Sequence, residues 1–227
     1  MSYSSENTAI LFFSKTAKSE SKEKKLTTSR LATEAVTAIF IQKNRQILRG
    51  LDVPVFNFSE YNQRGNCFGE RLHNAFSDVF NHGFQHVIAI GNDCLDLNKT
   101  HILQAIDALK TTPSVFGETT DGGVYLLGFQ KAFFKNFDLK NIAWQTEKVF
   151  SELIQLADNQ CITLDTLSDI DSSNDLILFL RNTKQAVKNI LFSILKIQEP
   201  KPLVSVKNYI RQYLLSIKLL RAPPVAA

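Results

Sequence analysis

Three short acidic segments hold the side chains best suited to chemistry, at residues 91–97 (GNDCLDL), 119–123 (TTDGG) and 169–175 (DIDSSND). Asp93 and Asp96 directly follow an apolar run with the composition of a buried strand. Hard divalent cations such as Mg²⁺ and Mn²⁺ take carboxylate oxygens as ligands, often together with substrate phosphates. Asp93 is therefore a candidate metal ligand. Both aspartates could instead cap the turn and helix that follow, and for Asp96 capping is favoured.

The second and third acidic segments have ordinary structural explanations as well. Gly122 and Gly123, after Asp121, would let the backbone approach a ligand closely, but Asp-Gly is also a strong hairpin-turn signal. Taken alone, these residues favour the turn. For residues 169–175, a loop leading into a capped helix is favoured.

A lysine-rich segment at residues 15–25 follows the first apolar run of the chain. Many nucleotide-binding sheets hold phosphates at this place. The segment contains no glycine, however, and it includes Glu20 and Glu23. The sequence therefore predicts a solvated, mobile loop here rather than a preformed phosphate site. Neither GxSxG nor a Walker-type loop is present, so the common hydrolase and P-loop classes lose support.

Strand-like and helix-like segments alternate along the chain. Their order predicts an α/β fold with a mostly parallel sheet and helices on both faces. Ligands of such sheets bind beyond the carboxyl ends of the strands, which points to the loops at 14–25, 91–97 and 118–123. Strands are predicted at 9–13, 53–58, 86–90, 114–118, 124–129 and 161–164, and helices at 28–48, 68–82, 98–110, 146–158 and 171–181.

After about residue 182 the sequence changes to two helix-like stretches. We therefore predict one α/β domain over residues 1–182 and a helical extension over 183–227. Within the extension, residues 184–197 and 203–220 are predicted helices, the second amphipathic. The extension could pack on its own domain, on a partner such as a second copy of the chain, or on a membrane surface. Packing on its own domain is favoured.

The composition excludes several classes of protein. The 227 residues are 44% hydrophobic and carry a mild, scattered net charge of +4, so nucleic-acid binding is not expected. Three well-separated cysteines without CxxC spacing argue against a zinc or dithiol site, and without a secretory signal they indicate a reducing compartment. No apolar run approaches the roughly 20 residues of a membrane span. We therefore expect a cytoplasmic protein.

Taken together, several motifs resemble a bacterial family of GT-A-type, nucleotide-diphospho-sugar-transferase-like proteins. Its members are called glycosyltransferases or radical-SAM/selenodomain-associated transferases. The resemblance covers about residues 9–180. The shared order and spacing of the motifs make the match more specific than any single motif would. The matching pieces are FSK at 13–15, GERL at 69–72, IGNDCLDL at 90–97, DGGVYLLG at 121–128, Trp144 with Thr146, and DID at 169–171.

The resemblance implies a Rossmann-like, three-layer α/β fold with a mixed, mostly parallel sheet, which binds a nucleotide diphosphate through a divalent metal, Mg²⁺ or Mn²⁺. By this likeness Asp93 and Asp171 are metal ligands. Asp121 is the catalytic residue, which would orient or deprotonate an acceptor hydroxyl. Gly122 and Gly123 lie on the acceptor or sugar side of the cleft.

The likeness also assigns substrate binding to Lys15, Lys22, Lys25 and Trp144. The partner that it implies is a small-molecule donor activated by a nucleotide. The leading hypothesis is a glycosyltransferase that uses a nucleotide-diphosphate sugar. The alternatives are a nucleotidyltransferase that releases pyrophosphate, and a catalytically silent binding module of the same fold.

The lysine-rich segment departs from the family pattern. Glu20 stands where the family has a glycine, and Glu23 stands where it has a lysine. Because a carboxylate facing a diphosphate is repulsive, either Lys22, Lys24 and Lys25 substitute for the missing lysine or nucleotide affinity is reduced.

Overall fold

The computed structural model describes residues 7–182 of the chain. These residues form a six-stranded sheet and seven α-helices. In chain order the elements are β1 (Thr8–Phe13), α1 (Ala17–Glu23), α2 (Arg30–Arg49), β2 (Val55–Phe58), α3 (Phe68–Asn81), β3 (His86–Ile90), α4 (Lys99–Ala108), β4 (Ser114–Thr119), β5 (Val124–Gln130), α5 (Lys131–Phe134), a 3₁₀ turn (Leu139–Asn141), α6 (Val149–Ala157), β6 (Cys161–Leu167) and α7 (Ser173–Asn182).

The sheet has the strand order β2-β1-β3-β5-β4-β6. Strand β5 is antiparallel to both of its neighbours, β3 and β4, whereas the other three pairings are parallel. The predicted mixed, mostly parallel sheet is therefore confirmed. Because β3 and β4 both oppose β5, the carboxyl ends of β1, β3, β4 and β6 all lie at one edge of the sheet.

The two faces of the sheet are covered by different cores. Helices α3 and α6 pack on one face together with a group of phenylalanines, among which Phe76 meets Phe129 edge to face at 5.3 Å. Helices α2 and α4 cover the other face through aliphatic side chains such as Ile41 and Ile102. Strands β1 and β3 have continuous apolar sequences because they are buried from both sides.

Most element boundaries follow local capping signals. Asn98 caps α4 through a reciprocal capping box with His101. The side chain of Ser29 accepts from the backbone N–H of Ala32 at the start of α2, and Gly50 follows the end of that helix. The predicted helices therefore differ from the structure mainly by one to three residues at their ends.

The prediction of a mobile loop at residues 15–25 was wrong, because residues Ala17–Glu23 form helix α1. The Thr16 side chain caps this helix, and its backbone and hydroxyl groups donate to the Glu60 carboxylate at 2.8 and 2.6 Å. Glu20 and Ser21 are buried although both are polar. The sequence has no apolar periodicity that would predict this helix, because its inward face carries polar side chains.

The predicted helices at 184–197 and 203–220 lie outside the described residues, so the extension and the domain boundary remain predictions. Among residues 7–182, no helix is long and apolar enough to cross a membrane.

We predict that two leucines on α6 differ sharply in their contribution to stability. Leu153 is fully buried, whereas Leu156 is 44% exposed. Leu153→Ala should lower the free energy of unfolding by about 2–5 kcal/mol, because it removes buried methylene groups and leaves a cavity. Leu156→Ala makes the same chemical change on the exposed face and should cost less than about 1 kcal/mol. Urea unfolding of both variants measures the difference, and equal losses would contradict this packing of α6.

Candidate active site

Four connections meet at the carboxyl edge of the sheet. The segment after β1 brings Lys15 and Lys24, the loop after β3 brings Asp93, the turn after β4 brings Asp121, and the segment after β6 brings Asp171. The three loops predicted to carry the site therefore lie together. They border a cleft that opens beside the start of β5.

An ion-pair bridge lies in this cleft. The Lys24 Nζ lies 2.6 Å from Asp93 Oδ1 and 2.6 Å from Asp171 Oδ1. Burial works against the charge of Lys24, but the two carboxylates outweigh it and raise its pKa above the ordinary value. The ammonium therefore stays protonated and holds together the two aspartates that the family likeness assigns to a metal.

Apolar neighbours explain why these three charged residues meet. Leu26, Leu95 and Ile170 are buried in one cluster under α2 and α7, and each lies within two positions of one member of the bridge. Backbone contacts complete the arrangement: the Ile170 N–H donates to the Asp93 carbonyl at 3.1 Å, and Lys25 pairs with Ser172 as an isolated parallel bridge. Burial of the apolar neighbours thus fixes the positions of the charges.

The structure separates capping residues from cleft residues. Ser172 and Asp175 cap the start of α7 reciprocally, since the Ser172 N–H donates to Asp175 Oδ2 at 2.8 Å and the Asp175 N–H donates to Ser172 Oγ at 3.3 Å. This leaves the carboxylate of Asp171 free to face Lys24. Likewise Asn98 caps α4, so Asp93 is not needed as a cap, while Asp96 lies exposed in a turn.

A second acidic group lies next to the bridge. Carboxylate oxygens of Asp121, Asp169 and Asp171 all lie within 4.8 Å of one another. Burial, followed by the charges of Asp171 and Asp121, raises the pKa of Asp169 to about 7. Three carboxylates at this separation repel one another, and a divalent cation would relieve that repulsion.

Asp121 also has the turn role that its sequence suggested. Its Oδ1 accepts from the Gly123 N–H at 3.0 Å and from the Thr119 hydroxyl. Gly122 has a φ of 85°, and a Cβ added there would come within 2.1 Å of the Glu147 carbonyl oxygen. Backbone geometry therefore requires glycine at this position, and the substrate-binding role assigned to Gly122 and Gly123 stays a prediction.

The cleft has two connected parts. The inner part is a cavity of about 330 Å³ that reaches Asp93 and is lined by the cationic side chains of Lys15 and Arg71. The outer part, of about 480 Å³, contains Asp121 and Asp169. Asp171 borders both parts. Within residues 7–182 the Arg71 guanidinium makes no hydrogen bond or ion pair, so it is available to an anion.

Trp144 forms a wall shared by both parts of the cleft. Its indole N–H donates to the Leu139 carbonyl at 2.7 Å, and its ring lies 4.9 Å from that of Phe68. Gly69 allows this approach, because a Cβ there would come within 2.7 Å of the indole nitrogen. The GERL motif thus provides a close packing position for Trp144 as well as Arg71.

The lysines assigned to substrate binding lie in two different places, inside the cleft and outside it. Lys15 lines the cleft, where it forms an ion pair with Glu23. Lys22 and Lys25 are exposed and do not line the described cleft, so their assigned role stays a prediction. Of the lysines that could replace the missing family lysine, Lys24 is the one inside the cleft.

Glu20 also lines the inner cavity, with only 8% of its surface exposed. Burial, followed by the nearby charge of Asp93, raises the pKa of Glu20 to about 7. Near neutral pH the side chain is therefore partly protonated, which weakens the repulsion that its sequence position suggested. Sequence reasoning did not assign a role to Arg71 or single out Lys24, because free and bridging cations cannot be distinguished without tertiary contacts.

The fold is of the α/β class, with a mixed sheet whose carboxyl edge carries the cleft. The chain is similar to the crystal structure of a candidate nucleotide-diphospho-sugar transferase from Desulfovibrio desulfuricans G20, with a TM-score of 0.71 and 22% identity. That match covers 91% of this chain and 98% of the other. At this identity the likeness establishes the fold.

Residues 27–146, slightly more than half of the chain, match the family described as "Uncharacterized protein conserved in bacteria" (DUF2064), and the chain belongs to this family. The matched segment includes Asp93, Asp121 and Trp144, whereas Lys24 and Asp171 lie outside it. The family resemblance expected from the motifs is thus confirmed.

Other structures are similar at lower scores. They include the manganese complex of Rv0371c from Mycobacterium tuberculosis H37Rv, with 15% identity, a TM-score of 0.44, and coverage of 78% of this chain and 98% of the other. A cytidylyltransferase from Leptospira borgpetersenii has 10% identity and a TM-score of 0.40 over 97% and 99% of the two chains. No curated protein matches the chain.

We predict a pH-dependent effect of Glu20→Gln on stability. The folded pKa of Glu20 is about 7, above its ordinary 4.5, so folding favours its protonated form. The wild-type protein should therefore lose stability as the pH rises from about 4.5 through about 7, relative to the variant. Urea unfolding at several pH values should show the variant gaining up to about 3 kcal/mol over wild type by pH 8.

Glu34→Gln serves as the control, because Glu34 lies on α2 and does not line the described cleft. A constant difference between Glu20→Gln and wild type from pH 4.5 to pH 8 would contradict the buried, protonatable state of Glu20.

Proposed function

We propose that this protein is a metal-dependent transferase that uses a nucleotide-diphosphate sugar as its donor. The observation that carries the proposal is the group formed by Asp121, Asp169 and Asp171, whose carboxylate oxygens lie within 4.8 Å of one another. The group borders a cleft at the carboxyl edge of the sheet, where ligands of such folds bind. A cleft with three carboxylates in its outer part and the Arg71 guanidinium, unpaired within residues 7–182, in its inner part suits a diphosphate bound with a divalent metal.

The three carboxylates fit Mg²⁺ or Mn²⁺. Asp121, Asp169 and Asp171 would hold the cation through carboxylate oxygens, the ligands that these hard cations prefer, and the cation would relieve the repulsion among the three carboxylates. Asp171 then serves as the metal ligand that the family likeness suggested, with Asp121 and Asp169 beside it. Asp93, the other expected ligand, is held by Lys24. The metal, when bound, would offset the charge that develops on the diphosphate leaving group.

The chain's own cations would bind the same diphosphate. Arg71 is free within the described residues and presents a planar guanidinium, which can bind two phosphate oxygens at once. Lys15 lies in the same cavity and could exchange its partner Glu23 for a phosphate. These cations would stabilise the leaving group electrostatically as its bond to the sugar breaks.

Asp121 is the residue that we assign to the acceptor. Its Oδ1 is held by the turn, which fixes the direction of the carboxylate and leaves Oδ2 for the metal or for an acceptor hydroxyl. A carboxylate held in this way could orient that hydroxyl and receive its proton. Trp144 would close the apolar side of the same cleft.

The altered first segment does not favour the catalytically silent alternative. Glu20 is buried with a pKa of about 7, and Glu23 is paired with Lys15, so neither carboxylate carries a free full charge into the cleft at neutral pH. Within the described part of the chain, Arg71 supplies unpaired positive charge in the inner cavity, whereas the charge of Lys24 is balanced by Asp93 and Asp171. The charge balance is therefore compatible with a bound diphosphate.

Isothermal titration tests the proposal with a panel of UDP-, GDP-, ADP- and CDP-sugars in the presence of Mn²⁺. We expect at least one donor to bind, and its affinity to fall at least about tenfold when Mn²⁺ is removed or in Asp121→Asn, because one of three metal ligands is lost. Asp52→Asn is the matched control, since Asp52 is exposed and precedes β2 at the opposite edge of the sheet.

A folded protein that binds none of these donors would overturn the proposal. Release of pyrophosphate from a nucleoside triphosphate, without turnover of any nucleotide sugar, would instead assign the cleft to a nucleotidyltransferase.

A further inference from the structure

The cation already present between Asp93 and Asp171 has a consequence for metal binding. We propose that Lys24 is a resident cation of the Asp93–Asp171 pair, and that a divalent metal can occupy this position only by displacing the ammonium. The inference rests on the proposed function for its biological meaning, since it concerns access of the metal to the same cleft. It assigns to Lys24 a positioning role that selects where the metal binds.

The geometry of the bridge is that of a filled cation site. The Lys24 Nζ lies 2.6 Å from one oxygen of each carboxylate, so those two oxygens are at most about 5.2 Å apart. The side chain of Lys24 is 15% exposed, and that of Asp93 is 35% exposed. The side chain of Asp171 is 56% exposed, so the Lys24–Asp93 pair is the less screened of the two, and an incoming metal must compete with it directly.

The backbone is held in place on both sides of Lys24. A departing ammonium would lose two ion pairs. Before this residue, the Lys24 N–H donates to the Glu20 carbonyl at 2.9 Å, at the end of α1. The start of that helix is tied to Glu60 through Thr16. After it, Lys25 pairs with Ser172 beside Asp171. The side chain of Lys24 therefore starts from a fixed backbone position next to Asp171.

Two cation positions therefore lie next to each other, and they share one ligand. The ammonium occupies Asp93 and Asp171, whereas the metal position of the proposed function consists of Asp121, Asp169 and Asp171. In the wild-type protein the three-aspartate group would hold the metal, with Lys24 on the other side of Asp171. Removal of the ammonium should open Asp93 to the metal, which would then gain a further carboxylate.

Titration of Mn²⁺ without any nucleotide tests this inference. Lys24→Met keeps the length and apolar stem of the side chain but removes the charge, and it should bind Mn²⁺ at least about tenfold more tightly than wild type, since a competing ion pair is gone. Lys18→Met is the matched control, because Lys18 lies exposed on α1, the helix that Lys24 follows, and its loss changes the net charge equally. The control should bind Mn²⁺ within about twofold of wild type.

A double variant tests whether the gain in Mn²⁺ affinity requires the Asp93 carboxylate. If the gain comes from opening Asp93, then Lys24→Met combined with Asp93→Asn should return the Mn²⁺ affinity to within about threefold of wild type. A purely structural bridge predicts a loss of thermal stability in Lys24→Met with no gain in Mn²⁺ affinity, and that result would overturn the inference. So would a gain that persists in the double variant.

Circular dichroism establishes that each variant is folded, and Lys24→Gln replaces Lys24→Met if the latter is not, because its amide can still donate to one carboxylate. The outcome is separable from that of the proposed function. An Asp93-dependent gain without binding of any nucleotide sugar would uphold the resident cation and reject the transferase. Donor binding in the wild type without such a gain would reject the resident cation alone.

Discussion

The arrangement of the cleft depends on the ion pairs that the Lys24 ammonium forms with Asp93 and Asp171. Strand polarity brings the acidic residues that follow β3, β4 and β6 to one edge of the sheet, where their charges would repel one another. The molecule meets this constraint in two ways: an internal cation neutralises part of the charge, and burial raises the pKa of Glu20 and Asp169 so that they ionise less readily.

The same constraint links the core to the site. Leu26, Leu95 and Ile170 belong to one apolar cluster, so the free energy of their burial keeps the bridge residues close in spite of their charges. The antiparallel strand β5 enters the sheet between the loops that carry Asp93 and Asp121, which leaves the cleft beside its first residues. The apolar packing that contributes to stability therefore also positions the charged residues at the carboxyl edge.

Membership of the DUF2064 family and the details of the cleft are separate findings. The segment that defines the family begins after Lys24 and ends before Asp169, so it contains one side of the bridge and one member of the three-aspartate group. The likeness to a nucleotide-diphospho-sugar-transferase fold covers nearly the whole chain. Two members of the bridge, Lys24 and Asp171, thus lie in the short segments after β1 and β6, outside the matched region.

The sequence by itself determined the order and type of most elements, the mostly parallel α/β sheet and the three loops that meet at its edge. These follow from local signals: apolar runs, the Asn98 cap, and the Asp121-Gly122 turn. Only the tertiary structure decided which acidic residues cap helices and which face the cleft, that residues 17–23 form a helix, and that Lys24 lies between two aspartates. Such contacts join residues far apart in the chain, and their energies depend on burial and on the distances between charges, which no local pattern contains.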